Sequence, residues 1–437
     1  MDAIFRPLSV AVYGASRNPA KLGHTLLRNV LGGGFEGEVI AVNPAGGEVL
    51  GLATVPGLER PVDLALISVP AVFAEAAVVD AARAGCAAAI VLASGFGETG
   101  AAGREVESRM AARARAAGMR LVGPNCMGAV SRSATGFFNG SYFWRLPQRQ
   151  GNISLVSQSG AFGGMFLAES RRRGLGLARF LSVGNSAEVV ETDALEWLAQ
   201  DAATEVIGLF VEAFQQGRRF VEVARACPKP VVVLKAGRLG AGARAAASHT
   251  GSLVGSRGAV EAAFQRAGVI ESVTSDDFFD SLQVLSARPR TAGRRIAIVT
   301  ISGGPSVLAA DAAERAGLEL SPLAAKTVTE LRRLAPSFAA TGNPVDLTPQ
   351  CPPDCFQPAL RAVFSDPAVE GVVAINCGLD VQEFGLGLAQ AQRETGKPVT
   401  AFLLDVPRIE QQLRSAGLPV LPSPERAVAA YAALVPP

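Results

Sequence analysis

Residues 153–160 read Ile-Ser-Leu-Val-Ser-Gln-Ser-Gly, an apolar run that ends in a polar turn. Such a run is typical of a buried strand, and the turn leads into a helical pattern over 161–173 that stops at Gly174. A helix that begins at a Ser/Gly turn presents unpaired amides and the positive end of its dipole, so it can hold a phosphate. A plain serine N-cap would leave the same pattern. The stretch by itself predicts strand, turn and helix.

The same pattern returns later in the chain. One glycine stands seven residues after Ile153 and another twenty-one residues after it, and the same spacing follows Ile296. We therefore expect two copies of one α/β unit, at 149–290 and 291–437. The second copy contains no histidine, so packing, assembly or completion of a site suits it better than phosphate chemistry of its own.

A further strand, turn and helix open the chain. The apolar run Ser9–Tyr13 leads into Gly14-Ala15-Ser16 and a helical pattern from about Pro19, and strands and helices alternate after it. This alternation predicts a parallel, doubly wound sheet with ligands at the carboxyl ends of its strands. Residues 132–150 break the periodicity with glycines, proline and aromatics, so we place this domain at 1–148.

The second strand of this domain ends in Val42-Asn43-Pro44. A dinucleotide site needs an acidic residue there and a GxGxxG turn, and the chain has neither. An uncharged strand end favours a ligand with an extra ribose phosphate, such as coenzyme A, to which Lys21 could offer a charge. An ordinary tight turn would also explain Gly14 and Ser16, and a nicotinamide-dependent oxidoreductase is the weakest alternative.

The loop Ser248-His249-Thr250-Gly251-Ser252-Leu253 carries one of the two histidines. A neutral imidazole nitrogen near pH 7 can attack phosphorus or carry a proton. Glu212 ends the predicted strand Val206–Val211, and the strand Val231–Leu234 leads towards the loop, so both side chains should share one edge. The carboxylate could then fix the tautomer of the imidazole. Alternatively, His249 is a solvent-exposed loop residue and Glu212 pairs with Arg218 or Arg219.

The composition indicates a globular chain. Of its 437 residues 49% are hydrophobic and 18% charged, and the net charge is +2. We expect two to four domains and no preference for an acidic partner. The basic run Arg171-Arg172-Arg173 lies where a helix should end, so it fits the helix dipole better than a nucleic-acid surface.

Cysteine usage and the N-terminus favour a cytoplasmic protein. The six cysteines include no CxxC pair and no zinc set, so we expect reduced thiols and no metal site. Residues 1–6 lack the features of a signal peptide, and no apolar run is long enough to span a bilayer. We expect neither export nor contact with a membrane or nucleic acid.

A series of motifs covers nearly the whole chain. Because of these motifs, the chain resembles the α-subunit portion of the nucleoside-diphosphate-forming (NDP-forming) acyl-CoA synthetases, which are relatives of succinyl-CoA synthetase. The motifs are Gly14-Ala15-Ser16, Val42-Asn43-Pro44, Gly123-Pro124-Asn125-Cys126, Ser157-Gln158-Ser159-Gly160-Ala161, Val183-Gly184-Asn185, Lys235-Ala236-Gly237-Arg238, Ser248-His249-Thr250-Gly251-Ser252-Leu253 and Asn343-Pro344-Val345-Asp346.

The resemblance implies a Rossmann-like CoA-binding domain followed by two flavodoxin-like domains, and a reversible reaction through acyl phosphate and phospho-His249. It implies that Glu212 orients His249 and that the turn Ser157, Gln158, Ser159 and Gly160 cradles the phosphate. It places CoA along Gly14, Ser16, Lys21, Asn43, Pro44, Pro70, Ser94, Gly95, Pro124 and Asn125.

Two departures from the family pattern stand out. Glu188 stands where the family favours Asp, and the chain has neither a Walker A sequence nor a stretch for the family's ATP-grasp domain. We therefore expect an ATP-grasp β subunit to supply nucleotide and Mg²⁺, and the chain to form a hetero-oligomer or a homodimer. The alternative function is a non-catalytic module that binds CoA or acyl-CoA for regulation.

Overall fold

The computed structural model describes residues 1–133, 136–147, 149–242, 244, 257–287 and 292–436, without the side chains of 132 and 133. This part of the chain divides into two compact units, Met1–Val273 and Thr274–Pro437. The predicted domain boundaries at 148/149 and 290/291 stay predictions. No described helix is long and apolar enough to cross a membrane.

The first sheet of the first unit is Rossmann-like. Its strands are β1 (Ser9–Tyr13), β2 (Glu38–Val42), β3 (Glu48–Val49), β4 (Leu52–Val55), β5 (Leu64–Ile67), β6 (Ala88–Val91) and β7 (Arg120–Val122), and its helices are α1 (Asp2–Phe5), α2 (Leu22–Gly32), α3 (Ala71–Arg83) and α4 (Ala101–Ala116). The strand order is β3-β4-β2-β1-β5-β6-β7, parallel except for the β3–β4 pair. This order confirms the predicted doubly wound sheet.

The second sheet of the first unit is flavodoxin-like. Its strands are β8 (Gly128–Ser133), β9 (Gly136–Ser141), β10 (Gln150–Ser157), β11 (Leu177–Ser182), β12 (Val206–Val211), β13 (Val231–Lys235) and β14 (Ile270–Ser272), and its helices are α5 (Gly160–Arg173), α6 (Glu191–Gln200), α7 (Gly217–Ala226) and α8 (Arg257–Ala267). The order is β14-β13-β12-β10-β11-β8-β9. Strands β10 to β14 are parallel, and a buried core runs through both sheets of the unit.

No sequence pattern indicated the hairpin β8–β9, which lies within and just before the stretch where the periodicity breaks. The hairpin pairs antiparallel with β11 and extends the second sheet. Its glycines obscure the strand pattern, but close packing requires them. A Cβ on Gly128 would lie 2.1 Å from the carbonyl oxygen of Gly140. Backbone contact, rather than side-chain alternation, therefore determines this part of the sequence.

The second unit repeats the flavodoxin-like pattern in a parallel sheet. Its elements are α9 (Ser275–Ser286), β15 (Arg295–Thr300), α10 (Gly303–Arg315), β16 (Glu319–Leu320), α11 (Ala325–Leu334), β17 (Val345–Asp346), α12 (Phe356–Phe364), β18 (Gly371–Cys377), α13 (Gln382–Thr395), β19 (Val399–Leu404), α14 (Pro407–Ser415), β20 (Val420–Leu421) and α15 (Pro424–Ala432). The strand order is β16-β15-β18-β19-β20, and β17 pairs with β15. Helix α5 begins at Gly160, one residue before its predicted start, and α10 begins at the matching Gly303, which confirms the predicted repeat of strand, turn and helix.

The expectation that all thiols are reduced is wrong for one pair. Cys351 and Cys355 form a disulfide across a short 3₁₀ turn, with their Cα atoms 6.6 Å apart. Cys86, Cys126, Cys227 and Cys377 are free, as expected. A spacing of four residues suggested no bridge, because it becomes close contact only when the chain turns between the cysteines.

Candidate functional site

The turns after the strands of the first sheet gather at its carboxyl edge. The residues predicted to contact CoA all lie in or just after these turns, which follow β1, β2, β5, β6 and β7: Gly14, Ser16, Lys21, Asn43, Pro44, Pro70, Ser94, Gly95, Pro124 and Asn125. The strands are parallel, so the structure brings these segments to one edge, where open α/β sheets bind ligands.

Asn43 holds the first turn in place. Its amide nitrogen donates to the carbonyl oxygen of Ala15 at 2.7 Å, and its side-chain oxygen accepts from the Ala45 amide at 2.9 Å. An aspartate could not make the first of these bonds, because a carboxylate has no proton to donate. The neutral strand end that argued against a dinucleotide site therefore also has a structural role.

The glycine turn brings the chain close to its neighbours. Gly14 has a φ of +81°, and a Cβ there would lie 2.4 Å from the carbonyl oxygen of Ser68. His24 reaches back from the first turn of α2, with its Nδ1 2.8 Å from the carbonyl oxygen of Ser16. The sequence analysis missed this role of His24, for which the signal was its place in the first turn after the glycine motif.

Two exposed cations flank this turn. Lys21 is the N-cap residue of α2, and Arg17 lies with its guanidinium carbon 3.6 Å from where a Cβ of Gly47 would be. Neither side chain pairs with a carboxylate in the described part of the chain. Lys21 was predicted as a phosphate contact, and Arg17 is an equally available cation that no motif marked.

The turn after β7 is tied to the second sheet. The peptide bond between Gly123 and Pro124 is cis, and the carbonyl oxygen of Pro124 accepts from the Asn185 amide at 3.0 Å. The side chain of Asn125 donates to that of Asn185 at 3.2 Å. A Cβ on Gly184 would lie 2.3 Å from the same Pro124 oxygen. The Gly-Pro-Asn and Val-Gly-Asn motifs are thus two halves of one contact.

Asn185 also holds two carboxylates. Its amide nitrogen donates to Glu98 at 2.7 Å and to Glu107 at 3.0 Å. Burial opposes ionisation of Glu98, but hydrogen bonds from the Gly95 amide and from Asn185 outweigh it and lower the pKa of this carboxyl. Burial raises the pKa of Glu107, and the Glu98 charge adds to the effect. The predicted CoA contact Gly95 is therefore fixed by this network.

Glu188, where the sequence departs from the family pattern, points back to the first sheet. Its carboxylate accepts from the Arg120 side chain at 3.0 Å and from the Leu121 amide at 2.8 Å. Glu188 therefore joins the second sheet to the amino end of β7.

The turn between β10 and α5 is braced by its own serines. The hydroxyl of Ser157 donates to the carbonyl oxygen of Ser159 at 2.7 Å and accepts from the Ser159 amide at 3.2 Å. The Ser159 hydroxyl in turn accepts from the Phe162 amide at 3.2 Å and caps α5. The helix starts at Gly160, so the positive end of its dipole lies at this turn.

Gln158 connects this turn to Glu212. Its side-chain oxygen accepts from the backbone amides of Glu212 at 2.6 Å and Ala213 at 3.0 Å. Its amide nitrogen donates to the Ala213 carbonyl at 2.8 Å and to the carboxylate of Glu191 at 3.2 Å. The predicted pair of phosphate turn and strand-end glutamate is thus held together by one side chain.

Glu212 lies buried at the end of β12. The Lys235 ammonium donates to its carbonyl oxygen and, at 2.6 Å, to that of Ala236. Burial lowers the pKa of Lys235, and the Glu212 charge opposes that shift. Arg219, considered as a partner for Glu212, instead pairs with Asp193 and Glu196 at 2.6 Å each.

Glu191 is a second buried acid at this edge, and the sequence analysis missed it. It begins α6 and accepts from Gln158 and, at 3.2 Å, from the Thr192 hydroxyl. Burial raises the pKa of this carboxyl. It follows Glu188 by three residues and lies in no motif, so only its contact with Gln158 marks it.

His249 and the rest of the predicted loop Ser248–Leu253 lie outside the described residues. The roles predicted for His249, Glu212 and the CoA contacts stay predictions.

The fold and these turns define the class of a CoA ligase, and family models agree. A CoA binding domain matches residues 8–132, a succinyl-CoA ligase like flavodoxin domain matches 150–285, and a Ligase-CoA domain matches 296–378. These models confirm the predicted order of a CoA-binding domain and succinyl-CoA synthetase-type domains.

Similar proteins identify the family. The chain is 36% identical to the α subunit of ADP-forming acetate–CoA ligase II from Pyrococcus furiosus, over 100% of its own length and 97% of the relative's. It is 38% identical to ADP-forming acetate–CoA ligase I from Archaeoglobus fulgidus, over 99% of its own length and 63% of the relative's. The solved structure of Ca. Korarchaeum cryptofilum dinucleotide forming acetyl-coenzyme A synthetase 1, in complex with phosphate and ADP, matches with a TM-score of 0.92 and 34% identity, covering 99% and 96% of the two chains.

The chain belongs to the NDP-forming acyl-CoA synthetases and corresponds to their α subunit. It is a ligase that forms carbon–sulfur bonds.

Proposed function

We propose that this chain binds CoA at the carboxyl edge of the first sheet and carries a phosphoryl group on His249 at the carboxyl edge of the second. The observation that carries the proposal is the Gln158 bridge, which fixes the N-terminus of α5 beside the buried Glu212. An anion favours the positive end of a helix, and a carboxylate favours a protonated imidazole.

The reaction runs in three balanced steps. A phosphate oxygen attacks the thioester carbonyl of acyl-CoA, the CoA thiolate leaves, and acyl phosphate forms. A nitrogen of His249 then attacks the phosphorus, and the carboxylate of the free acid leaves. Finally the β-phosphate of a nucleoside diphosphate takes the phosphoryl group and restores His249. Covalent transfer divides the reaction into steps that separate sites can catalyse.

The residues at the second edge have distinct tasks. The braced turn from Ser157 to Gly160 directs helix amides towards the phosphoryl oxygens. Glu212 accepts a hydrogen bond from the imidazole, so that the opposite ring nitrogen faces the phosphorus. The side chain of Gln158 makes its hydrogen bonds to protein atoms, so its role is to position Glu212 rather than to contact phosphate.

At the first edge, Lys21 and Arg17 supply positive charge for the phosphates of CoA. The Gly14–Ser16 turn lies at the same edge and lets the ligand approach the backbone. Asn43 keeps that turn in its binding conformation, and Asn185 does the same for the loop around Gly95.

A partner chain with an ATP-grasp domain completes turnover and supplies nucleotide and Mg²⁺. The Pyrococcus furiosus relative is named as an α subunit, and this chain spans 63% of the longer Archaeoglobus fulgidus relative. Phosphate and ADP are bound in the Ca. Korarchaeum cryptofilum structure. These facts support a two-subunit synthetase that uses an organic acid, CoA and ATP.

The test is mass spectrometry of the chain after incubation with phosphate, Mg²⁺ and a panel of acyl-CoAs, with and without an ATP-grasp partner. An acid-labile phosphate on His249 is expected, and the acyl-CoA that produces it identifies the substrate. His249→Asn, a neutral side chain of similar size, should remain unphosphorylated and still bind CoA. Binding of CoA with no phosphate on His249 under either condition would instead favour the regulatory module.

A further inference from the structure

A large open cavity lies in the first unit, away from the proposed site. It encloses about 1380 Å³ and is lined by the end of α2, strand β9, residues 144–147 and 149–150, and the end of α5. Gln150 and Leu177 in its wall are the first residues of β10 and β11. The phosphate turn follows the opposite end of β10, roughly 20 Å away at the usual rise per strand residue. The cavity is therefore no part of the proposed phosphoryl-transfer site.

Four arginines from three parts of the chain line this cavity: Arg28 from α2, Arg145 and Arg149 from the stretch between β9 and β10, and Arg171 from α5. The described lining contains no aspartate or glutamate, and none of the four forms an ion pair within the described ranges. Four guanidinium groups around one concavity repel each other unless an anion lies between them. The cavity is therefore strongly electropositive.

The neighbouring arginines show that this lack of pairing is local. Arg172 and Arg173 both bind Glu169, whose pKa the Arg172 hydrogen bond in particular lowers to about 2. Arg171 of the same run lines the cavity and donates to the carbonyl oxygen of Arg145. The basic run was predicted to complete the helix dipole, but Arg171 in addition contributes its charge to the cavity.

The wall that carries Trp144 and Arg145 is held in place. Asn29 and Asn139, both buried, donate to the carbonyl oxygen of Phe143 at 3.2 and 2.9 Å. Trp144, the next residue, is 72% exposed and lines the same cavity. The backbone on either side of the indole is thus anchored while the ring itself lies open to solvent. An exposed indole beside cations is a surface on which a flat aromatic ring can stack.

We propose that this cavity binds a nucleoside polyphosphate at a site separate from CoA and from the phosphoryl-transfer edge. Guanidinium groups bind phosphate oxygens in pairs of hydrogen bonds, and four of them match a chain of phosphates. Trp144 stacks on the base. The cavity is also large enough for a nucleotide, since small-molecule sites usually measure about 300–1,000 Å³.

The experiment uses the fluorescence of Trp144. The chain has two tryptophans, and Trp197 stacks on Phe5 with ring centroids 4.5 Å apart. A Trp197→Phe background leaves Trp144 as the reporter. ATP and tripolyphosphate, both without Mg²⁺, are titrated in the absence of CoA, because CoA carries an adenosine diphosphate of its own and would compete for the cavity. We expect saturable quenching by ATP, with ATP binding at least about fivefold more tightly than tripolyphosphate because it adds a stacked base.

The arginines are tested by matched charge changes. Arg28→Gln with Arg149→Gln should raise the Kd for ATP at least about tenfold, because two phosphate contacts are lost. Arg113→Gln with Arg115→Gln, at exposed positions on α4, removes the same charge and should change the Kd less than about twofold.

Three results would overturn the proposal. Equal loss in both double variants would show non-specific attraction, and equal affinity for ATP and tripolyphosphate would remove the role of Trp144. Binding of a polyglutamate peptide without binding of ATP would assign the cavity to an acidic segment of a protein partner. None of these measurements depends on acyl transfer, so they are independent of the proposed function.

Discussion

The two flavodoxin-like copies brace the first turn after their strands in the same way. In the first, the Ser157 hydroxyl bonds both the amide and the carbonyl of Ser159. In the second, the Thr300 hydroxyl does the same to Ser302, at 2.8 and 2.9 Å. A hydroxyl at the last strand position thus stabilises this turn in both copies, and its presence is no indication of a catalytic role.

The copies differ at the next position. Gln158 corresponds to the buried Ile301, and by strand register Glu212 corresponds to Cys377. In the second copy the Ser302 hydroxyl accepts from the Cys377 amide at 3.1 Å. In the first copy the side-chain oxygen of Gln158 accepts from the corresponding amide, that of Glu212. The scaffold is shared, but the acid and the side chain that positions it occur only in the first copy.

The largest expected effect follows from Glu212. Glu212→Gln keeps the size of the side chain but removes the charge that is proposed to stabilise a protonated His249 imidazole. We expect phosphorylation of the chain by acyl-CoA and phosphate to slow by about 10²-fold or more. The rate is measured by quenched-flow mass spectrometry, and the Kd for CoA should stay unchanged. A phosphorylation rate within threefold of the wild-type rate would mean that a group other than Glu212 assists phosphoryl transfer in the first copy.

A reciprocal exchange tests whether Gln158 and Ile301 are interchangeable. Gln158→Ile leaves two backbone amides and a buried carboxylate without their partner and should cost about 2–4 kcal/mol in the free energy of unfolding. Ile301→Gln buries an amide in an apolar site and should cost about 1–3 kcal/mol. Urea unfolding of both variants gives these values. An unchanged free energy of unfolding in both variants would mean that Gln158 and Ile301 are interchangeable and that the two turns do not differ in what they require at this position.

The pH dependence of stability provides a smaller test. Burial raises the pKa of Glu191 above its ordinary value of 4.5. A raised pKa means that the folded state holds the proton more tightly, so this contribution to stability is present at low pH and disappears as pH rises through the folded pKa. Glu191→Gln does not titrate. Its melting temperature relative to the wild type should therefore rise between pH 4 and 7, and a constant difference would contradict the burial effect.

The smallest expected effect concerns the two serines at the N-cap positions of α5 and α10. Ser159→Ala removes the N-cap bond of α5, and Ser302→Ala removes the acceptor of the Cys377 amide. Each should lower the free energy of unfolding by about 1 kcal/mol. Thermal unfolding with and without phosphate distinguishes the two variants. Phosphate should raise the melting temperature of Ser302→Ala more than that of Ser159→Ala, because only the first turn is proposed to hold a phosphoryl group. Equal phosphate stabilisation in both variants would remove that distinction.

Local patterns were enough to predict strand β10, its Ser/Gly turn and helix α5, and the matching strand, turn and helix of the second copy. An apolar run, a Ser/Gly turn and a glycine stop are local signals, so a helix directly after each turn could be predicted from the sequence. The neutral strand end at Asn43 favoured a CoA-binding domain, and the family model over residues 8–132 confirms that domain. The parallel order of the first sheet followed from the alternation of strands and helices.

Contacts between distant segments could not be predicted. Glu191 and Gln158 are thirty-three residues apart, and neither shows from sequence alone that it meets the other. Asn185 lies seventy-eight residues from Glu107, and the hairpin β8–β9 is specified by backbone contact at glycines. The disulfide between Cys351 and Cys355 likewise depends on a turn that no motif marked.

The buried core that runs through both sheets of the first unit has a consequence for how the protein can be divided. Leu66 of the first sheet and Leu209 of the second belong to the same apolar cluster. A gene cut between residues 148 and 149 would produce two fragments, each exposing half of an interior to water. The two edges proposed for CoA binding and for phosphoryl transfer therefore depend on one folded interior, and a truncated gene would have to keep both sheets to keep either edge.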